Sequence, residues 1–169
     1  MQLVISDSST LIHLSAVSRF ARIREYFPSI HIPRAVYQEV VLSGKRRPGS
    51  EEVIQAIHDG IITVHDVKNT PLVISLCHEI HRGEAEVIDQ ALECDEPLLL
   101  LDDHDARHVA ERFGLSYTGI IGILIRARID KKIPSLKLGL EQLRTVGRFW
   151  ISDQVMQKAL TAVEEECPP

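Results

Sequence analysis

Two short, uninterrupted apolar runs constrain this chain more than any other feature, because each ends in aspartate and a helix pattern follows at once. The runs are residues 3–5 (Leu-Val-Ile) and residues 98–101 (four leucines). Continuous apolar runs of this length are typical of parallel strands that are buried on both faces. Because parallel strands need a long crossover connection, usually a helix, the runs predict an α/β fold with a parallel sheet.

The rest of the chain continues this alternation of strands and helices. After Asp7, residues 8–14 supply hydroxyl side chains and then an apolar face, which predicts a helix that begins within two residues of the strand end. The same order of strand, aspartate and helix recurs at residues 102–113. Further strand patterns lie at residues 30–32, 61–64 and 115–117, and further helix patterns at residues 34–42, 50–58, 83–92, 120–129, 136–143 and 155–163. We expect a single domain over residues 1–169, with residues 134–169 as C-terminal helices.

Composition narrows the class of protein. The 169 residues are 44% hydrophobic and 25% charged, which is typical of a globular chain and excludes a disordered one. The net charge of −5 excludes nucleic-acid binding by bulk positive charge, so any such contact must be local. No apolar run reaches the ~20 residues of a membrane helix, and the first residues do not resemble a secretory signal. We expect a cytoplasmic protein.

The cysteines do not indicate a structural disulfide or a zinc site. Cys77, Cys94 and Cys167 are an odd number, are widely spaced and include no C-x-x-C pair. We expect all of them to be reduced thiols.

Acidic residues follow both of the principal strands. Asp7 ends the first strand segment, and Asp102 and Asp103 end the fourth. Ligands of open parallel sheets collect beyond the carboxyl ends of the strands. Neighbouring carboxylates at that edge repel one another unless protons or a cation neutralise them, and a divalent metal ion would do so. The structural alternative is a helix N-cap, which is the favoured interpretation for Asp103 or Asp105 taken alone.

Two glutamates on predicted helices extend this acidic set. Glu84 falls in the first turn of its helix, where the helix dipole favours an anion, so a structural role explains it as well as a functional one. Glu39 lies between Val36 and Val40, where partial shielding and an exposed helix face are equally compatible with the pattern. Only the acidic residues as a set point to a site.

With these residues in view, the chain resembles the PIN-domain ribonucleases, which include the toxins of prokaryotic toxin–antitoxin pairs. The resemblance covers nearly the whole chain, and four segments carry it: residues 5–12 (Ile-Ser-Asp-Ser-Ser-Thr-Leu-Ile), 32–40, 83–86 (Gly-Glu-Ala-Glu) and 100–107. Residues 118–124 and 149–152 look like those of a subgroup of PIN-like proteins. The resemblance implies a three-layer α/β/α sandwich around a parallel sheet.

The resemblance also implies a set of acids that hold Mg²⁺ or Mn²⁺. Position by position, Asp7 matches the first acid, Glu39 the second and Glu84 the third, where many members carry aspartate. Asp103 matches the aspartate of an Asn-Asp pair, and Asp102 replaces the asparagine. These matches make Asp7, Glu39, Glu84 and Asp103 the expected catalytic residues and Asp7, Glu84, Asp103 and Asp102 the expected metal ligands. Hard divalent cations prefer such oxygen ligands.

Two further residues are expected to support the site. Ser9 matches a hydroxyl that the family often places near the first acid, where it would bond a carboxylate or a bound water. Arg107 is a basic residue beside the acids. The function that the resemblance implies is metal-dependent cleavage of RNA phosphodiester bonds, with toxin activity, an antitoxin partner and a homodimer as further expectations. The alternative is a catalytically weak PIN-like module that binds RNA or protein.

Local basic residues are the candidates for contacts with RNA phosphates. Besides Arg107 they are residues 45–47 (Lys-Arg-Arg), Arg126, Arg128, Lys131 and Lys132, and solubility alone would also explain them. Aromatic residues make up only 5% of the chain, and we expect most of them in the core, which leaves little sign of a base-stacking platform. The sequence therefore predicts backbone contacts with RNA rather than recognition of bases.

Rival motifs fail on their spacing. Residues 78–81 (His-Glu-Ile-His) lack one residue of H-E-x-x-H and are interpreted as a solvated helix. His104 and His108 are four residues apart and are interpreted as exposed residues on one helix face. No P-loop, dinucleotide fingerprint or G-x-S-x-G motif occurs. A phosphate-accepting receiver domain would also place aspartates at strand ends, but it would need a lysine on a later strand, and none follows Asp103 on a convincing strand.

Overall fold

The apolar runs form the centre of a five-stranded sheet in which all strands are parallel. The computed structural model describes residues 3–17, 23, 25–43 and 49–164. The strands are β1 (Val4–Ser6), β2 (Ile30–Pro33), β3 (Ile62–His65), β4 (Leu98–Leu100) and β5 (Ser116–Thr118), in the spatial order β3-β2-β1-β4-β5. The prediction of an α/β fold with a parallel sheet is confirmed.

Helices connect these strands and cover the sheet. They are α1 (Ser8–Ala16), α2 (Arg34–Tyr37), α3 (Ser50–His58), α4 (Pro71–Leu76), α5 (Arg82–Leu92), α6 (His104–Arg112), α7 (Ile120–Ile129), α8 (Leu136–Thr145) and α9 (Asp153–Thr161). The helix predicted for residues 34–42 is divided, because α2 continues as a π-helix at Gln38–Ser43. Of the described helices, none has the length and apolar character needed to cross a membrane.

The order of the strands decides where the acidic residues meet. Strands β1, β2 and β3 follow one another in one direction, and β4 and β5 lie on the other side of β1. The direction of winding therefore reverses between β1 and β4, and parallel α/β sheets bind ligands at such a switch point. The register pairs Ile5 with Leu99 and Ser6 with Leu100, so Asp7 emerges directly beside the end of β4.

The two central strands are buried as their composition predicts. Ile5, Leu99, Leu100 and Leu101 are fully buried. Burial on both faces requires apolar side chains at successive positions, which explains why these runs do not alternate between polar and apolar residues. Strand β1 therefore ends with Asp7 at the edge of a rigid core.

One helix prediction is wrong. The residues His78, Glu79, Ile80 and His81 lie in a turn rather than in a solvated helix. The reason is α4, which Thr70 caps by accepting a hydrogen bond from the amide of Val73 at 3.1 Å and which ends at Leu76. Because this helix ends early, Ile80 turns inward and is 7% exposed.

Predictions for individual histidines, cysteines and lysines or arginines can also be compared with the structure. His104 and His108 are exposed on α6, as predicted. Cys77 and Cys94 are free thiols. Cys167 and residues 45–47 lie outside the described residues.

Candidate active site

Asp7 is the most deeply buried acid at the carboxyl edge of the sheet. The residue is 1% exposed, and its amide donates to the carbonyl of Leu100 at 3.0 Å, which continues the pairing of β1 with β4. Oδ1 accepts from the amide of Thr10 at 2.8 Å, so Asp7 is also the N-cap of α1. Oδ2 accepts from the amide of Asp102 at 3.3 Å. Both strand ends therefore hold this carboxylate in place.

The surroundings of Asp7 disfavour its negative charge. Burial raises the pKa of its carboxyl group, and the charge of Asp102 raises it further, to about 7, although the hydrogen bonds from the amides of Thr10 and Asp102 partly offset this. Near neutral pH the group is therefore poised between its neutral and charged forms. Among the residues that the structure describes, no positively charged side chain pairs with Asp7, and a bound cation would be such a partner.

Asp102 occupies a different environment from Asp7, although its side chain is only 2% exposed. Oδ1 accepts from the amide of Ile120 at 2.8 Å and from a guanidinium nitrogen of Arg107 at 3.3 Å. Oδ2 lies 3.1 Å from Nδ1 of His13. Both oxygens are thus occupied by protein groups, and the side chain joins α1, α6 and α7 at the end of β4.

Gly119 allows this arrangement around Asp102. A Cβ atom at residue 119 would collide with the carboxylate of Asp102 and with the guanidinium of Arg107, and it would lie 2.9 Å from the carbonyl oxygen of Leu101. The start of α7 can therefore approach the end of β4 only with glycine at this position. This close approach explains the glycine in the segment at residues 118–124 that the resemblance singled out.

Asp103 faces away from that contact and caps the next helix. Its Oδ1 accepts from the amides of Asp105 at 2.8 Å and Ala106 at 3.0 Å, which confirms the N-cap interpretation of this residue. The residue is half-buried. Its charge is among the causes that raise the pKa of Glu84, so the two carboxylates lie within electrostatic reach of each other.

Glu84 is a buried acid at the start of α5. It is 6% exposed, and its Oε2 accepts from the amide of His81 at 2.9 Å. Burial is the main cause that raises its pKa. The hydrogen bond from His81 offsets part of this increase, and the charges of Asp103 and Glu39 add smaller increases. Glu84 therefore connects the acids of β4 with the acid of the π-helix.

Glu39 approaches this group from the π-helix. The residue is exposed, which decides between the two interpretations that its sequence pattern allowed. A Cβ atom at residue 83 would lie 3.4 Å from Oε2 of Glu39 and 3.2 Å from the side chain of Val36, so Gly83 lets this segment pack closely on α5. π-Helical turns occur often at functional sites, and this one carries an acid to the site edge.

The acids form two groups at one edge of the sheet. Asp7 and Asp102 are linked directly, and Glu84 interacts electrostatically with Asp103 and Glu39. Over the part of the chain that the structure describes, no three His, Cys, Asp or Glu side chains gather closely enough to hold one ion. The possible ligands nevertheless fit a hard divalent cation, since all of them are carboxylate oxygens. The raised pKa values of Asp7 and Glu84 show that the surroundings disfavour their negative charges, which a cation would stabilise.

The predicted supporting residues lie beside this edge. Ser9 is half-buried in the first turn of α1. Arg107 donates to the carbonyl of Leu101 at 2.8 Å as well as to Asp102, and its guanidinium lies 5.7 Å from the centre of the Tyr117 ring. Arg107 therefore braces the end of β4, with a third of its side chain still exposed.

Sequence reasoning missed two residues that support the site. His13 bonds Asp102, and no local signal connects two residues that are 89 positions apart. Glu86 is 3% exposed and accepts from Arg82 at 2.8 Å and from the amide of Ala35 at 3.2 Å, which ties α5 to the start of α2. An acid among apolar residues on a helix was the signal for Glu86.

The basic and aromatic residues differ from expectation. Two of the predicted phosphate contacts are engaged in ion pairs: Arg126 with Asp130 at 2.8 Å and Lys132 with Glu25 at 3.0 Å. Of the aromatic residues that were expected to lie mostly in the core, Trp150 is 83% and Phe113 38% exposed, whereas five others are partly buried against the core. The connection between α8 and α9 buries Ile151, and the neighbouring side chain therefore points outward.

Comparison with known proteins adds one finding. A family model described as a PIN domain matches residues 3–165. A search of curated proteins returned no match.

Proposed function

The chain belongs to the PIN-domain family, whose members are generally nucleases that use divalent metals, and we propose that it is a Mg²⁺- or Mn²⁺-dependent endoribonuclease. One observation carries the proposal. Asp7 and Glu84 are buried acids with raised pKa values at the carboxyl edge of the sheet, with Asp103 and Glu39 in electrostatic reach of Glu84. Buried carboxyl groups whose charge lacks a partner are typical of functional sites.

Asp7, Glu84 and Asp103 are the ligands that we propose for the cation, with Glu39 at the rim of the site. Because these acids do not gather around one point, a hydrated cation would bind one or two of them directly and the rest through water. Asp7 offers a carboxylate whose position both strand ends determine. Asp102 contributes negative charge, although protein donors occupy its oxygens. A divalent cation bound here would polarise a phosphodiester and supply hydroxide near neutral pH.

The protein residues themselves contribute rigidity and charge. Asp103 and Glu84 each bond backbone amides at a helix start, so neither side chain is free to drift from the site edge. The exposed side of Arg107 offers a positive charge to an RNA phosphate beside the acids. Ser9 would hydrogen-bond a carboxylate or a water at the same edge.

The direct test is cleavage of total RNA in the presence of Mn²⁺ or Mg²⁺. We expect activity that EDTA abolishes and that the substitutions Asp7→Asn and Asp103→Asn reduce by about 100-fold or more, since each removes a ligand. Asp105→Asn is the matched control, because this acid lies two residues from Asp103 with its side chain 75% exposed. Equal activity in wild type and the Asp7→Asn variant would contradict the assignment.

The second candidate is a PIN-like module that binds RNA or protein with weak catalysis. The observation in its favour is that Asp7, Glu84 and Asp103 are engaged as helix caps and that the described acids do not converge on one point. RNA binding without cleavage under the same conditions would support this candidate over the first.

We further propose that the protein acts in the cytoplasm as a toxin that an antitoxin protein restrains. The PIN-domain family supports the toxin role, and the free thiols of Cys77 and Cys94 support a reducing compartment. Growth arrest on expression in bacteria, relieved by Asp7→Asn, is the expected outcome. Normal growth with active wild-type protein present would contradict the toxin role.

We also propose that the chain forms a homodimer. Exposed apolar side chains on and beside the C-terminal helices support this proposal: Leu138 is 57%, Val146 64% and Val155 41% exposed. Light scattering should return twice the chain mass of 19.0 kDa at micromolar concentration. A monomer mass over that range would contradict it.

A further inference from the structure

We propose that Trp150 is a stacking platform for a base of single-stranded RNA beside the acidic site, an inference that rests on the proposed ribonuclease function. Trp150 is the only tryptophan of the chain. At 83% exposure it is more exposed than every other large apolar side chain among the described residues. An indole in water leaves a large apolar surface uncovered, and tryptophan faces commonly stack on nucleic-acid bases.

A short series of contacts connects Trp150 with the acids. The preceding residue, Phe149, packs edge-on against His13, with ring centres 4.7 Å apart and an interplanar angle of 76°. His13 in turn lies 3.1 Å from Asp102, whose amide bonds Asp7 at 3.3 Å. These contacts place the backbone of Trp150 at the same end of the molecule as Asp102 and Asp7.

The segment that leads to Trp150 is basic, which suits an RNA strand. Residues 144–150 (Arg-Thr-Val-Gly-Arg-Phe-Trp) contain two arginines and no acid, in a chain with a net charge of −5. Arg144 and Arg148 are both exposed. No carboxylate in the described ranges forms an ion pair with either of them. Other arginines do have such partners: Arg34 with Asp66, Arg82 with Glu86, Arg112 with Glu79 and Arg126 with Asp130.

An exposed indole beside arginines that have no acidic partner among the described residues favours a single strand over a duplex or a protein partner. Bases of a duplex stack on one another, whereas bases of a single strand can stack on an aromatic side chain. The arginines would contact phosphates on either side of the stacked base. Because every base has an aromatic face, the contact tolerates many sequences. Trp150 therefore contributes to RNA binding, and the acidic residues carry out the cleavage.

The single tryptophan makes the test direct, because all indole fluorescence comes from Trp150. A single-stranded oligoribonucleotide is added in EDTA, so that binding is measured without cleavage. We expect quenching of the indole emission on binding, and much less quenching by an oligonucleotide with abasic sites that keeps the phosphates. Fluorescence anisotropy of labelled RNA then gives the affinity of each variant.

Trp150→Ala should weaken binding by roughly 5- to 150-fold, and Trp150→Phe should retain most of the affinity because it keeps an aromatic face. Phe113→Ala is the matched control: this aromatic residue is 38% exposed at the end of α6 far from Asp103, and its loss should leave the affinity unchanged. Equal affinity of wild type and Trp150→Ala would overturn the proposal.

The outcome separates this inference from the nuclease proposal. Binding that depends on Trp150 without any cleavage in Mn²⁺ would support the platform and reject the ribonuclease. Cleavage in Mn²⁺ with an RNA affinity that does not depend on Trp150 would support the ribonuclease and reject the platform. A lower molecular mass of Trp150→Ala by light scattering, with RNA affinity unchanged, would assign Trp150 to contact between protein chains and overturn the platform.

Discussion

At the scale of single residues, Asp7 and Asp102 show how surroundings assign different roles to the same side chain. Both are almost fully buried at neighbouring strand ends. Asp102 has Arg107 and His13 as partners, whereas the donors that the described residues offer to Asp7 are the backbone amides of Thr10 and Asp102. A buried charge with cationic or polar partners is stabilised, whereas one without a positive partner is costly. Asp7 is therefore the acid with most to gain from a cation.

The raised pKa of Asp7 predicts how stability depends on pH. Its pKa is 3.8 in an unfolded chain and about 7 in the folded protein. The folded state then binds the proton more tightly, so this group's contribution is complete below pH 4 and is lost as the pH rises towards 7. Thermal melts in EDTA should show Asp7→Asn gaining on wild type as pH rises from 4.5 to 7.5, by about 1.4 kcal/mol per unit of pKa difference. A constant difference between the two proteins would contradict the raised pKa.

Two glutamates on α5 provide a second comparison at this scale. Glu84→Gln should reduce cleavage at least about tenfold and raise the melting temperature of the metal-free protein, because glutamine keeps the bond from His81 without a buried charge. Glu86→Gln should instead destabilise by about 1–3 kcal/mol, because it weakens charged hydrogen bonds from Arg82 and Ala35. Thermal melts and cleavage rates per folded molecule measure both effects. Loss of cleavage in Glu86→Gln together with loss of stability in Glu84→Gln would contradict the functional role of Glu84 and the structural role of Glu86.

At the scale of elements, helix starts organise the site. Asp7 and Asp103 are the N-caps of α1 and α6, and Glu84, in the first turn of α5, accepts from the amide of the N-cap residue His81. The positive end of a helix dipole favours a nearby anion, so three helices contribute to holding these carboxylates together. The capping and acidic roles are therefore compatible in the same residues. A capping hydrogen bond also limits the motion of each carboxylate.

The contact between α7 and β4 leads to a third prediction. Gly119→Ala should destabilise the protein by about 1–3 kcal/mol, because its methyl group would meet the buried Asp102 carboxylate and the backbone oxygen of Leu101. Gly139→Ala on α8 is the matched control. There the methyl group would lie 3.7 Å from Leu124, an ordinary contact, and alanine favours the helix. Chemical denaturation measures both variants, and equal stability of the two would contradict the steric argument.

At the scale of the whole molecule, the topology brings together residues that are distant in sequence. The bond between Asp7 and the amide of Asp102 spans 95 positions and exists because β4 lies beside β1. Asp7 follows β1 and Asp102 and Asp103 follow β4. Because these strands are neighbours at the switch point, the three acids lie near one another at the carboxyl edge of the sheet.

Metal binding by the whole fold gives the fourth prediction. An ion that binds only the folded protein stabilises it by RT ln(1 + [L]/Kd), about 2.7 kcal/mol at a hundredfold excess over Kd. Millimolar Mn²⁺ should therefore raise the melting temperature of wild type.

The Asp103→Asn variant should melt at a higher temperature than wild type in EDTA, because the substitution relieves repulsion with Glu84 and asparagine still caps α6. Its melting temperature should rise less than that of wild type when Mn²⁺ is added. Asp105→Asn should respond as wild type does. An identical response of Asp103→Asn and wild type would remove Asp103 from the ligands.

Much of the fold could be predicted because its signals are local. The apolar runs, the aspartates behind them and the hydroxyl groups at helix starts indicate strands and helices without reference to distant residues. Helices α3 and α7 begin and end at the predicted residues, 50–58 and 120–129. Helix α4 was missed because Pro71 to Leu76 is too short to show a clear helical period.

The sequence by itself determined the α/β class, the alternation of elements and which acids follow the strands, because spacing and capping chemistry act over a few residues. Only the tertiary structure decided that partners occupy Asp102, that burial raises the pKa of Asp7 and that Trp150 faces water. Each of these depends on residues that lie far away in sequence, such as His13 for Asp102. A side chain's solvation and partners are set by the packing of all elements together, and local sequence does not encode them.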